Sequence, residues 1–96
     1  MTFEWDDEKN AANIRSHGIS FEDASRVFNG PCVEFNDDRF QYGEDRSITL
    51  GLLYGVVVLY VAHTDRAGVT RIISARRATP NERQRYEKEV FGSHDG

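Results

Sequence analysis

Seven consecutive residues, Val56-Val57-Val58-Leu59-Tyr60-Val61-Ala62, carry no charge and no alternation of apolar with polar side chains. A strand made of them is apolar on both faces and is stable only where both faces are covered. The rest of the chain must therefore provide strands beside it and packed layers above and below. The apolar stretch around it, Leu50 to Ala62, is 13 residues long and broken by Gly51 and Gly55, short of the roughly 18 that cross a bilayer. With 96 residues, 39% of them hydrophobic, the chain builds one core. A single domain is expected over residues 1–91, with Gly92-Ser93-His94-Asp95-Gly96 as a small, polar, flexible tail.

The flanking segments read as helices and further strands. Asp6 is placed to cap a first helix whose opening turn carries Asp7 and Glu8, where negative charge meets the positive end of the helix dipole. Gly18 ends that helix, along which Lys9, Asn13 and His17 recur at i, i+4 and i+8. Ser20 caps a second helix with the buried stripe Phe21, Ala24, Val27 and Phe28, closed by Asn29-Gly30-Pro31. Period-two patterns follow in Val33 to Phe35 and in Arg46 to Leu53, the latter placing Ile48, Leu50 and Leu52 on one face. Tyr54-Gly55 turns into Val56 to Thr64, and Asp65-Arg66-Ala67-Gly68 turns into Val69 to Arg76. Thr79-Pro80-Asn81-Glu82 supplies an N-cap, a first-turn proline and a capping-box glutamate for a third helix, Pro80 to about Phe91. Two helices, four strands in antiparallel succession and one helix make an α+β domain.

Charge is unevenly distributed. The net charge is −4, but residues 1–48 hold five basic and eleven acidic side chains, and residues 49–96 hold seven and five. A polyanion prefers the second half. Ten of the twelve cations are arginine, whose planar fork matches phosphate with paired hydrogen bonds, although a GC-rich genome gives the same bias. The acidic N-terminus lacks the basic and apolar regions of a signal peptide, so a cytoplasmic location is expected. Cys32 is the single cysteine and makes no internal disulfide. No metal-ligand spacing of the HExxH or Cys/His kind is present, and GxSxG, GxGxxG and P-loop patterns are absent, so no metal and no cofactor are expected.

Arg71, Arg76 and Arg77 lie on or beside one strand and Arg46 starts another. Simple alternation puts Arg71 and Arg77 on the face of Ile73 and Ala75, and Arg76 with Ile72 and Ser74. Arg71 and Arg76 then meet one ligand only if the strand bulges or one side chain reaches around its end. A structural pairing, for example Arg76 with Glu82, is the plainer reading of the same residues. His17 at a helix C-terminus reads more readily as a cap or packing residue than as a proton carrier, His63 as structural or solvent-facing, and Tyr86 as core. From residue chemistry, a phosphate-handling enzyme and a protein-binding module both remain open.

The opening Phe3-Glu4-Trp5-Asp6, with Lys9, Asn13, His17-Gly18-Ile19, Phe21, Ala24 and Phe28 at these spacings, resembles the BrnT family of bacterial type II toxins. The block Arg71-Ile72-Ile73-Ser74-Ala75-Arg76-Arg77-Ala78-Thr79, followed by Glu82-Arg83 and Tyr86, is similar to that family's most distinctive segment. The resemblance implies a RelE-like fold and a metal-independent ribonuclease that halts translation. It also implies a cognate BrnA-type antitoxin with a ribbon-helix-helix part, commonly in a mixed oligomer of two copies of each that represses its own operon. On that footing operator DNA is contacted mainly through the antitoxin, and no membrane partner is expected. One position departs from the pattern: Ser16 stands where the family often has a lysine, with Arg15 one residue earlier.

A ribonuclease that works without a metal must activate a ribose 2′-hydroxyl, neutralise a phosphorane and protonate the leaving 5′-oxygen. Arg46, Arg71 and Arg76 are the candidates for the phosphate, and His17 for proton transfer with Glu82 as the alternative base. Arg15, Arg77 and Tyr86 are candidate RNA contacts. The competing readings are a non-catalytic corepressor subunit that strengthens its partner's hold on operator DNA, and a degenerate toxin kept as a scaffold.

Overall fold

The computed structural model describes residues 1–38 and 45–92. The elements run β1 (Thr2–Glu4), α1 (Asp7–His17), α2 (Phe21–Arg26), a 3-10 turn (Val27–Asn29), β2 (Cys32–Asn36), β3 (Ser47–Leu53), β4 (Val57–Arg66), β5 (Val69–Arg77) and α3 (Pro80–Phe91). Residues 93–96 of the expected tail lie outside the described residues. The helix ends obey the local chemistry of the sequence. The Asp6 carboxylate accepts from the amides of Glu8 and Lys9 at 2.8 and 3.1 Å, the Ser20 hydroxyl accepts from the Asp23 amide, and Thr79 and Glu82 close a reciprocal capping box. The Lys9 amide holds the Asp6 carboxyl below the usual aspartate range.

The sheet has five strands in the order β1-β5-β4-β3-β2, where four were expected. The extra strand, β1, runs parallel to β5 and pairs Thr2, Phe3 and Glu4 with Val69, Thr70 and Arg71. Three residues are too few to display a period of two, and Phe3 reads equally well as an apolar lead-in to α1. The other neighbours are antiparallel. Both tight hairpins use a pair of left-handed residues, Tyr54-Gly55 (φ 55° and 71°) and Ala67-Gly68 (φ 53° and 82°). This conformation matches the twist of the strands it joins and favours glycine in the second place.

β4 is covered on both faces, as its composition requires. Leu59 and Val61 pack with Ile72, Ala75, Phe21, Ala24 and Val27 beneath α1 and α2. Val58, Tyr60 and Ala62 pack with Ile48, Leu50 and Tyr86 on the α3 side. The last helix, which the sequence shows as mostly charged, is anchored by Tyr86. This side chain is fully buried and donates its hydroxyl to the Pro31 carbonyl at 2.9 Å.

Where β1 stops, α1 takes over the edge of β5. The buried Asn13 amide donates to the Ala75 carbonyl at 2.8 Å and accepts from the Ala75 N–H at 3.1 Å, and it also donates to the Ile19 carbonyl. One side chain thus stands in for a strand and satisfies edge groups that would otherwise be costly to bury.

Candidate active site

The sheet face turned toward α3 has two halves. α3 covers the end that carries Val33, Leu50 and Tyr60, and the cross-strand register extends from there to polar residues. Phe35 stands opposite Ile48, Ile48 opposite Ala62, and Ala62 opposite Ser74. The next row continues through Arg46, Thr64 and Arg71. Thr64 is the Cα partner of Arg71, and the Arg46 carbonyl accepts from the Asp37 amide at 2.9 Å, carrying the ladder one residue beyond β3. By alternation these side chains share the α3 side with Ile48 and Ala62, which places Arg46 and Arg71 roughly 10 Å apart across two strand spacings.

β5 is bulged. Ser74 pairs with Ala62 and Ile72 with His63, so Ile73 is an extra residue with no opposite number. The inserted residue reverses the alternation beyond it. Ile72 and Ala75, three apart, both lie in the α1–α2 core, and Ile73 packs on the α3 side. The face assignment expected from simple alternation is therefore corrected. Arg71 and Arg76 share the α3 face, about 15 Å apart along the strand at its usual rise, and Arg77 points the other way, opposite Leu59.

Arg76 lies over the Tyr60 ring, 3.8 Å from its centroid. It also makes paired hydrogen bonds with Glu82, Nη1 to Oε1 at 2.9 Å and Nη2 to Oε2 at 3.0 Å. The plainer sequence reading, a structural Arg76 to Glu82 pair, is thus present in the molecule. Burial pushes the Glu82 carboxyl up, but the Arg76 guanidinium and the Thr79 amide outweigh it and hold it below the usual glutamate range. A carboxylate so held is a weak base at neutral pH and a firm anchor for the arginine. Arg71 pairs with Glu4 at 3.1 Å, and both side chains are about half exposed. Such a pair is worth about 1 kcal/mol or less and can be exchanged for phosphate.

His17 is exposed in the last turn of α1 and borders a groove of about 220 Å³ with Lys9, Ser16, Asn13 and the bulged Ile73. The Lys9–Asn13–His17 stripe therefore divides by function. Asn13 closes the sheet edge, and Lys9 and His17 flank the same open face. Arg15, two residues from Asn13 and about 200° around the helix, is exposed on the side away from the sheet. Tyr86 is enclosed in the core, where its ring packs α3 and offers no face to a base. The structure thus gathers Arg46, Arg71, Arg76 and Glu82 on one face with His17 at its margin, and it sets Arg15, Arg77 and Tyr86 apart.

Two features escaped the sequence reading. Arg85 lies over the Phe35 ring at 4.0 Å. With Phe35, Asn36, Asp37, Asp38, Tyr60 and Glu82 it lines a pocket of about 470 Å³. Its spacing of three from Glu82 was a usable signal, but Phe35 and Tyr60 are brought to it by strand register. The other feature is a polar network on the opposite, α1–α2 side. His63, which is buried, has Nε2 2.8 Å from the Thr49 hydroxyl and Nδ1 3.2 Å from Asp65, and the Thr70 hydroxyl donates to Asp65. One donor atom each from Glu34, His63 and Asp65 lies within 4.8 Å of the others. His63 and Asp65 stand two apart on β4, and strand register alone brings Glu34 of β2 to them. Both ring nitrogens of His63 already have protein partners, and the trio faces away from the arginines.

Comparison with known proteins gives the fold and the sequence blocks a common explanation. Nothing among curated proteins matches the chain. Among solved structures, the ribonuclease toxin BrnT of Brucella abortus aligns with a TM-score of 0.69 at 26% identity, covering 82% of this chain and 97% of that one. The family model described as "Ribonuclease toxin, BrnT, of type II toxin-antitoxin system" matches residues 5–82, from Trp5 just before α1 through the glutamate that holds Arg76. The chain belongs to the BrnT family of ribonuclease toxins of type II toxin–antitoxin systems.

Proposed function

We propose that this toxin cleaves RNA without a metal, on a RelE-like scaffold, and that the arginine-bearing half of the α3-side face holds the scissile phosphate. In this reading the 2′-hydroxyl loses its proton and attacks phosphorus, and the 5′-oxygen leaves with a proton, giving a 2′,3′-cyclic phosphate and a 5′-hydroxyl. Arg46, Arg71 and Arg76 offset the charge that develops on the phosphorane, the task of fixed cationic donors in phosphoryl chemistry. Glu82 and the Tyr60 ring hold Arg76 in place. Arg71 exchanges its exposed Glu4 partner for the phosphate. His17, at the margin of the face, is the candidate for moving the protons, since an imidazole ring nitrogen can both accept and donate one.

The observation that carries this reading is the bulge at Ile73, because an unbulged strand would turn Arg71 and Arg76 to opposite faces. The test is cleavage of RNA in EDTA by the purified chain free of its antitoxin. Arg76→Ala is expected to lower the rate by about 100-fold or more, equivalent to roughly 2.7 kcal/mol of barrier, with the fold intact. Undiminished cleavage by that variant would remove Arg76 from the site. In the cell the same chemistry halts translation in the cytoplasm. It is held in check by a BrnA-type ribbon-helix-helix antitoxin in a complex of two copies of each, and operator DNA is reached through that antitoxin.

The carboxylates already facing Arg71 and Arg76 favour one rival, a non-catalytic corepressor subunit. Normal complex formation with no RNA cleavage and no growth arrest on induction of the chain by itself would establish that rival.

A further inference from the structure

The pocket beside the proposed phosphate site has a chemistry of its own. Part of its lining is aromatic and cationic, with Arg85 stacked on Phe35 at 4.0 Å beside the Tyr60 ring. The rest of the rim, Asn36 at the end of β2 and Asp37 and Asp38 just after it, carries two carboxylates. Its volume of about 470 Å³ is within the range of small-ligand pockets. The backbone phosphate belongs on the arginines, which leaves this pocket to a group of different chemistry. A flat group with hydrogen-bond donors on its edge suits both parts of the lining, since guanidinium planes and aromatic rings stack with bases and carboxylates accept N–H donors.

We infer that this pocket is a guanine subsite, which takes the base next to the scissile bond and reads its Watson–Crick edge at the Asn36–Asp38 rim. The inference rests on the nuclease reading above. Guanine presents N1–H and the N2 amino group side by side, two parallel donors that match the two oxygens of a carboxylate. Adenine and cytosine each offer one amino donor beside a ring acceptor, and uracil flanks its N–H with two carbonyl oxygens that a carboxylate repels. Arg85 is the stacking surface for the ring. Glu82 is committed to Arg76 and Thr79 and couples the base pocket to the arginine that grips the phosphate.

The experiment uses the full chain and a set of single-stranded RNA oligonucleotides that differ at one position, G, A, C, U, inosine or 7-deazaguanine, in an otherwise constant sequence. Cleavage beside G is expected to exceed that beside U by about 100-fold, and loss of the N2 amino group in inosine to cost about tenfold, in line with hydrogen bonds to charged acceptors. The 7-deaza base keeps the Watson–Crick edge and is expected to be cut like G. Asp37→Asn and Asp38→Asn test the rim separately. At least one is expected to narrow the G over A preference by about tenfold with slower cleavage beside G, the second variant covering the case in which the first disturbs the β2–β3 ladder. Wild-type cleavage that is equal at all bases, or unaffected by inosine, overturns the guanine subsite and leaves the nuclease reading standing. Absence of cleavage at any base overturns the nuclease reading itself. Unchanged base preference in both variants together with weakened antitoxin binding assigns the pocket to a basic segment of the antitoxin and also overturns the proposal.

Discussion

The two faces of the sheet are built to opposite ends. Under α1 and α2, Phe21, Ala24, Val27, Leu59, Val61 and Ala75 are completely enclosed, and the polar groups at the margin, Asn13 and His63, are bonded to fixed partners. On the α3 side one half is equally dry around Tyr86 and Leu50, with Arg76 at its β5 border beside Tyr60, but the other half carries Arg46, Thr64, Arg71 and Ser74, and the carboxylates that pair with Arg71 and Arg76 are partly exposed. One face therefore sets stability and one half of the other is free for chemistry. Residues whose groups are desolvated contribute free energy to folding, and half-exposed charges contribute little to it and much to a ligand.

That division can be broken by variants read out for stability and RNA cleavage together. The largest stability loss is expected for Phe21→Ala. It empties a fully buried aromatic site beneath the Trp5 ring and is expected to cost about 3–5 kcal/mol in denaturant unfolding, with the activity per folded molecule unchanged. A loss below about 1 kcal/mol would show that this face is not the core described here. Asn13→Ala comes next, at about 2–4 kcal/mol, because it leaves the N–H and C=O of Ala75 unpaired at a buried edge. Hydrogen exchange is expected to rise at Ala75 first, and an unprotected Ala75 amide in the wild type would show that the side chain does not act as a strand. The smallest effect comes from acid and sharpens the comparison on the arginine side. Glu82 titrates below its ordinary value of 4.5 when folded, so its contribution is fully present above that pH and is lost as pH falls through the lower folded value. Glu82→Gln is expected to remove this part of the acid dependence of unfolding. An unchanged acid limb would mean that the Arg76 pair does not persist in solution.

Much of the fold was legible because local rules decide it. Asp6, Ser20 and Thr79 cap helices through bonds to amides two or three residues away, and Tyr54-Gly55 and Ala67-Gly68 turn hairpins by their own backbone preferences. The both-sided apolarity of Val56 to Ala62 required a central, covered strand, and the resemblance carried by Phe3 to Phe28 and Arg71 to Tyr86 pointed to the family. Arginine on β5, glutamate at the third position of α3 and histidine before Gly18 were likewise visible as chemistry without positions.

What the sequence could not reveal depends on partners distant along the chain. β1 is a strand because β5 offers an edge 67 residues away. Asn13 is a strand surrogate because Ala75 lies beside it, and Phe35 reaches Arg85 through the β2–β3–β4 register. The bulge at Ile73 is the decisive case. Residues 71–77 carry no marker of an extra residue, and it exists because two strands must keep Ile72 and Ala75 in one core while they pair with regular neighbours on β4. Composition and local spacing thus determined which groups were available, and tertiary packing alone decided on which face of the sheet they meet, since a single unpaired residue inverts every side chain beyond it.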